Sequence, residues 1–202
     1  MANRSDDFNR ADNSASLGTP SDGGSAWVAA AGTFGIQTNK AAKISSDSVW
    51  QTAYLEASTS SADVQGTITT NSANSLGLCA RLADNNNFLM GYVSPGNAYL
   101  FKRVGGTFTQ IGTTYTGGFA DQDVLKLTID GSNNIALYKN GSSIKTGSGI
   151  TDGSTNTKHG LVFFNTTSVR VDDFSITDTG AAVYIRPNLS VHSQSVHRAS
   201  RR

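Results

Sequence analysis

Apolar and polar residues alternate with a period of two along most of this chain. Val64, Gly66 and Ile68 are separated by Gln65 and Thr67, and Leu125, Leu127 and Ile129 by Lys126 and Thr128. Successive side chains of a strand point to opposite faces, so this alternation predicts half-buried β-strands. No window places apolar residues at i, i+3, i+4 and i+7 over three turns, and no helix is predicted. Ile135 and Leu137 resume the pattern after Gly131-Ser132-Asn133-Asn134, which predicts a hairpin from Val124 to Lys139. Asn140-Gly141 is the strongest turn pair in the sequence and adds a third strand, Ser143 to Thr146.

The same grammar recurs elsewhere. Val49 to Ala57 and Asp63 to Thr70 read as strands. Leu76 to Leu82 turns through Asp84-Asn85-Asn86-Asn87 into Phe88 to Val93, and Pro95-Gly96-Asn97 leads on to Tyr99 to Val104. Gly105-Gly106 opens Thr107 to Ile111. Phe88 to Val93 is apolar on both parities, which predicts a central strand covered on both sides. In the last strand, Val169 to Thr177, the apolar parity flips at Asp172-Asp173, the mark of a β-bulge. Roughly twelve strands at a spacing of about 8–12 residues predict an all-β, two-sheet antiparallel sandwich. No fixed-period repeat points to a propeller or solenoid.

Composition sharpens this picture. Only 15% of the 202 residues are charged and 37% are hydrophobic, which suits strands with uncharged polar outer faces. Cys79 is the single cysteine, so an intrachain disulfide is excluded, and its alternating neighbours make it an ordinary strand residue. The N-terminal residues carry no apolar signal segment, and no apolar run approaches the roughly 20 residues of a membrane helix. A soluble chain made in a cytoplasm, without a membrane partner, is expected.

Charge is segregated. Residues 1–178 hold twelve of the basic and all fifteen acidic residues, whereas residues 179–202 carry Arg186, Arg198, Arg201 and Arg202 and no acid. Val183 and Ile185 alternate with Tyr184 and Arg186 before Pro187 ends regular pairing. Beyond it, Leu189, Val191 and Val196 are the sizeable apolar groups, too few to fold alone. The reading is therefore a sandwich domain over 1–178 and an extended basic C-terminal arm over 179–202. The arm fits an acidic protein groove better than nucleic acid, because four arginines make a small charge.

The order of strand ends is familiar. Asp7-Phe8-Asn9-Arg10 precedes Trp27-Val28 and Gly35-Ile36. Gly77-Leu78-Cys79-Ala80-Arg81-Leu82 follows with Asp84 and Asn87, then Tyr138-Lys139-Asn140-Gly141, Gly160-Leu161 and Val171-Asp172-Asp173-Phe174. Over residues 6–177 this resembles the concanavalin A-like lectin/glucanase superfamily, which includes laminin G-like domains. The resemblance implies a jelly roll whose first and last strands pair. The Phe-Asn-Arg-Ala-Asp opening is similar to modules of tailed-bacteriophage virion proteins and of bacterial surface proteins. On that likeness the expectation is a non-enzymatic virion structural protein, a capsid decoration or cement protein or a tail component. Its arm (Val183, Ile185, Arg186, Leu189, Val191, Val196, Arg198, Arg201, Arg202) would grip major capsid or other virion proteins in a multicopy lattice or homo-oligomer. The alternative is a carbohydrate-binding module recognising host or environmental glycans.

Chemistry adds little to the enzyme side. Glycoside hydrolysis uses two carboxyl groups flanking the scissile bond. The glucanase branch carries them on one strand, and this chain has only Glu56 there. Adjacent Asp172 and Asp173 read as turn or edge residues. His159, His192 and His197 lack a nucleophile elbow or zinc spacing, and His159 is expected at the surface or an edge. Laminin G-like domains bring calcium into view, but Asp84 to Asn87 and Asp121 to Asp123 read first as turn formers. No catalytic, cofactor or metal residue is assigned. Trp50, Tyr54, Tyr92 and Tyr99 are the aromatic candidates for stacking on sugars. Trp50 and Tyr54 share a strand parity and form the candidate glycan platform.

Overall fold

The structure is a computed structural model and describes residues 3–45, 49–69, 76–165 and 167–180. Two antiparallel sheets face each other. The eight-stranded sheet runs β13 (Ser142–Gly147), β12 (Ile135–Lys139), β11 (Val124–Ile129), β6 (Ala62–Thr69), β15 (Arg170–Asp178), β4 (Ala41–Lys43) and β3 (Phe34–Ile36), with β1 (Arg4–Asp6) also paired to β15. The seven-stranded sheet runs β10 (Thr107–Tyr115), β9 (Asn97–Val104), β8 (Asn87–Ser94), β7 (Leu76–Asp84), β14 (Lys158–Phe163), β5 (Gln51–Glu56) and β2 (Val28–Ala31). The jelly-roll sandwich expected from the sequence is therefore observed. Strands beyond the predicted number include β1 to β4, each three or four residues long, too short for alternation to reveal.

Local predictions explain most of the register. The β11–β12–β13 meander forms around Asn140 and Gly141, both at positive φ (48° and 79°), the conformation an Asn-Gly turn supplies. The pairing of β15 with β6 shifts between Asp172 and Ser175, placing the bulge where the parity flips. Above it Val171, and below it Phe174 and Ile176, all reach the core. Asp6 lies opposite Phe174, so the first and last strands pair.

The main core lies between the sheets. Val64, Ile68, Leu125, Leu127, Ile129 and Leu137 from one sheet meet Leu76, Leu78, Leu89, Leu100, Leu161 and Phe163 from the other, all at most 1% exposed. Gly91 is needed at this seam, because a Cβ there would stand 2.2 Å from the Leu137 side chain.

The opening motif closes one end of this core. The Asp6 carboxylate, wholly buried, accepts both terminal Arg10 nitrogens at 2.7 Å, the Trp27 indole N–H at 2.7 Å and the Phe8 backbone N–H at 3.0 Å. Trp27 packs between Phe8 and Phe174, with ring centroids 5.8 and 4.9 Å away. Thus the Asp-Phe-Asn-Arg opening and the closing Asp-Asp-Phe serve the fold.

The sandwich extends slightly past its expected end. Thr179 donates its backbone N–H to the Ser61 carbonyl at 3.0 Å and its hydroxyl to Ile129 at 3.1 Å. The arm residues Val183, Ile185, Arg186, Leu189, Val191, Val196, Arg198, Arg201 and Arg202 lie outside the described residues.

Candidate functional site on the seven-stranded sheet

The face of the seven-stranded sheet turned away from the main core is also apolar. Its strands carry side chains of the second parity in cross-strand rows. Phe88 sits opposite Arg103 and Arg103 opposite Phe108; the next rows are Met90 with Phe101 and Tyr92 with Tyr99. With Cys79, Leu82 and Val162 beneath them, these residues form a second hydrophobic cluster. This is the covering that the doubly apolar sequence of β8 implies.

The sheet curls over this cluster. Thr52 lies opposite Val162, and Val162 opposite Gly77 near the start of β7. Asn85 follows the end of β7. In a flat sheet these two residues would be roughly 25 Å apart at the usual rise per residue. Instead the Thr52 hydroxyl donates to Asn85 Oδ1 at 3.1 Å, and Asn85 Nδ2 donates to the Trp50 carbonyl at 3.1 Å. The bend falls where the β7–β8 pairing shifts between Ala80 and Asp84, with Arg81 at φ 52°. Arg81 is held there by bonds to the Ser60 and Ile150 carbonyls and to Asn133 Oδ1 at 2.8–2.9 Å. The β9–β10 turn follows the curl: Gly106 N–H reaches the Asn86 carbonyl at 3.0 Å, and Gly105 N–H reaches Asn87 Oδ1 at 2.9 Å.

Curling brings Trp50 from one side of the sheet against rings from the other. Its centroid lies 4.7 Å from Phe164 in a stacked pair, 4.8 Å from Phe108 and 5.0 Å from Tyr92. Tyr99 and Phe101 lie side by side with planes 29° apart and centroids at 5.5 Å. Trp50, Met90, Tyr92, Ser94, Tyr99, Phe101 and Phe108 line a depression of about 370 Å³ that opens to solvent. Tyr92 is 9% exposed, while Trp50, Tyr99, Phe101 and Phe108 are half-buried.

No lining side chain is charged. Arg103 stands nearby, 4.8 Å above the Phe108 ring and 5.9 Å from Phe88, and donates from Nε to Gly106 and from Nη1 to Asn85. Burial lowers its pKa, opposed by the charge of Asp84. Cys79, at the bottom of the cluster, is fully buried and its thiol is pushed up to about 12 by desolvation, which leaves it unreactive.

The candidate residues separate. Trp50, Tyr92 and Tyr99 meet in the depression, while Tyr54 lies under Lys158 Nζ at 4.8 Å and is not part of its lining. Trp50 and Tyr54 both pack against the second cluster, as their shared parity implies, but Trp50's ring partners arrive through the curl. Phe101 and Phe108 were missed, although Phe101 shares its parity with Tyr99 and Phe108 lies across the Gly105-Gly106 turn. His159 is a further correction: it is fully buried, opposite Leu55, because its side chain faces inward from β14. Asp84 and Asp123 use their carboxylates on local turns. Asp84 accepts from Asn86 and Asn87, and Asp123 from Ala120, Asn140 and Lys139. Among the described residues no group of three metal-ligating side chains converges.

No protein-family model and no curated protein matches the sequence. Solved structures do match in fold. The carbohydrate-binding module CBM66 from Bacillus subtilis superposes with a TM-score of 0.56 at 17% identity, covering 76% of this chain and 93% of that one. The Emp46p carbohydrate recognition domain gives 0.54 at 10% identity, covering 77% and 89%. A GH43 protein from Bacillus licheniformis, BlXynB, gives 0.55 at 13% identity, and the match covers 87% of this chain but 39% of that one. These neighbours correct the virion expectation. The chain shares its all-β jelly-roll fold with these domains, and none of the three is described as belonging to a bacteriophage, a capsid or its decoration. The Phe-Asn-Arg opening that suggested phage closes the end of a core.

Proposed function

We propose that this protein is a carbohydrate-binding module that holds a saccharide in the aromatic depression of its seven-stranded sheet and does no chemistry on it. The observation that carries this reading is the depression itself: five rings, four of them half-buried, gathered in a hollow open to solvent on a lectin-like sandwich. Packing alone would bury such rings, and an open apolar site of this kind marks ligand binding. A binding role is supported over hydrolysis because the lining offers no carboxyl group, where glycoside cleavage uses two.

The test is a glycan array read with wild type and Tyr99→Ala. Tyr99 lies half-buried in the lining and outside the core between the sheets, so its removal leaves that core intact. Binding of a defined glycan set by wild type, weakened at least tenfold in the variant at unchanged circular dichroism, is expected. No hit on a broad array would overturn the reading. Shortening of a bound oligosaccharide on long incubation would overturn its non-catalytic part.

A further inference from the structure

We infer that the depression selects neutral sugar units presenting an unbroken C–H face, and excludes acidic sugars and organic cations; the inference rests on the carbohydrate-binding reading. The lining consists of five rings, the Met90 thioether and the Ser94 hydroxyl. Its side-chain polar atoms are hydroxyls and the Trp50 indole N–H. A carboxylate or sulfate entering this site would leave water and meet no cationic partner in the lining, a costly transfer.

Ring clusters also hold quaternary ammonium groups, because ring faces attract cations. Here the Phe108 face of the cluster is already taken. The Arg103 guanidinium already covers Phe108, at 4.8 Å from its centroid. Two of its nitrogens are bound to the Asn85 and Gly106 carbonyls, which holds it over that ring and denies the ring's face to a second cation. Arg103 is thereby committed to pinning the two hairpin tips together, and its Nε and Nη1 are not available to an anionic ligand.

What remains is stacking. Tyr99 and Phe101 form a strip of near-parallel rings, Trp50 stands at its side, and the hydroxyl-bearing Ser94 and Tyr99 are among the lining residues. An apolar face with a polar edge is the shape of a neutral pyranose. A second copy of the chain is a poorer occupant. About 370 Å³ is the size of a small-molecule site, whereas a stable protein interface buries roughly 800 Å² on each partner.

The experiment is a titration of the Trp50 fluorescence change with three probes: neutral oligosaccharides (cellotetraose and maltotetraose), an acidic one (tetragalacturonate) and choline. Each is run at low and high salt, with wild type and Tyr99→Ala. The expected result is saturable binding of a neutral probe, unchanged by salt and at least tenfold weaker in Tyr99→Ala, with tetragalacturonate at least tenfold weaker than the neutral probe and choline silent. Tighter binding of tetragalacturonate or choline, lost in Tyr99→Ala, would overturn the inference while leaving the depression a ligand site. Failure of every saccharide, or saccharide binding indifferent to Tyr99→Ala, would overturn the carbohydrate reading at this site and the inference with it.

Discussion

At the scale of single residues, the molecule separates groups that hold the fold from groups offered to a ligand. His159 is of the first kind. Its Nε2–H donates to the Thr59 carbonyl at 2.8 Å, while Nδ1 has no hydrogen-bond partner among the described residues. Burial lowers its pKa from 6.5 to about 4, with the Thr59 bond opposing and the Arg81 charge assisting. The unfolded chain therefore takes up a proton between these two values that the folded chain refuses. Stability rises with pH across that window and is lost as pH falls from about 6.5 to about 4, by roughly 3 kcal/mol in all. Urea denaturation of wild type and His159→Gln from pH 4 to pH 7.5 checks this: the slope present in wild type is expected to flatten in the variant. The sequence placed His159 at a surface because a histidine flanking a glycine-led strand carries no mark of which face it will take. Cys79 was legible as a strand residue, since its neighbours alternate around it.

At the scale of elements, the site depends on one bent hairpin. The β7–β8 tip crosses the sheet face and reaches β5 through the Asn85 side chain, which bonds both Trp50 and Thr52. Removing that amide leaves the Trp50 backbone without its tether and loosens the wall of the depression. Asn85→Ala is expected to weaken glycan affinity about tenfold and to shift Trp50 emission towards the red, while Asn85→Asp retains only the bond from Thr52. Fluorescence and calorimetric titration measure both effects. None of this was readable from the sequence. The Asp84-Asn85-Asn86-Asn87 run announced a turn correctly, but a turn signal is local and does not say where the hairpin will bend. The bend is set at Arg81, an arginine at positive φ that no turn motif marks. Its guanidinium is held by Ser60, Asn133 and Ile150, all distant in sequence. The ring cluster assembled by this curl is long-range for the same reason.

At the scale of the whole molecule, the chain builds two apolar regions on either side of one sheet. The first lies between the sheets and was legible, because period-two alternation specifies one buried face per strand. The second was legible only as an excess, in that β8 is apolar on both parities. The opening and closing motifs predicted the pairing of β1 with β15 correctly, and they misled where a likeness in strand ends was extended to a virion role. Their chemistry is structural: truncating the Asp6 side chain removes the carboxylate partner of the half-buried Arg10 and leaves the buried Trp27 N–H without its acceptor. Asp6→Ala is expected to cost roughly 3 kcal/mol or more in chemical denaturation, with glycan affinity preserved in the fraction that remains folded. The measurement that tests the account most directly maps a bound neutral oligosaccharide onto the protein by nuclear magnetic resonance shift changes. The largest shifts are expected at Trp50, Tyr92, Ser94, Tyr99, Phe101 and Phe108. Shifts concentrated on the eight-stranded sheet, or none at saturating sugar, would contradict it.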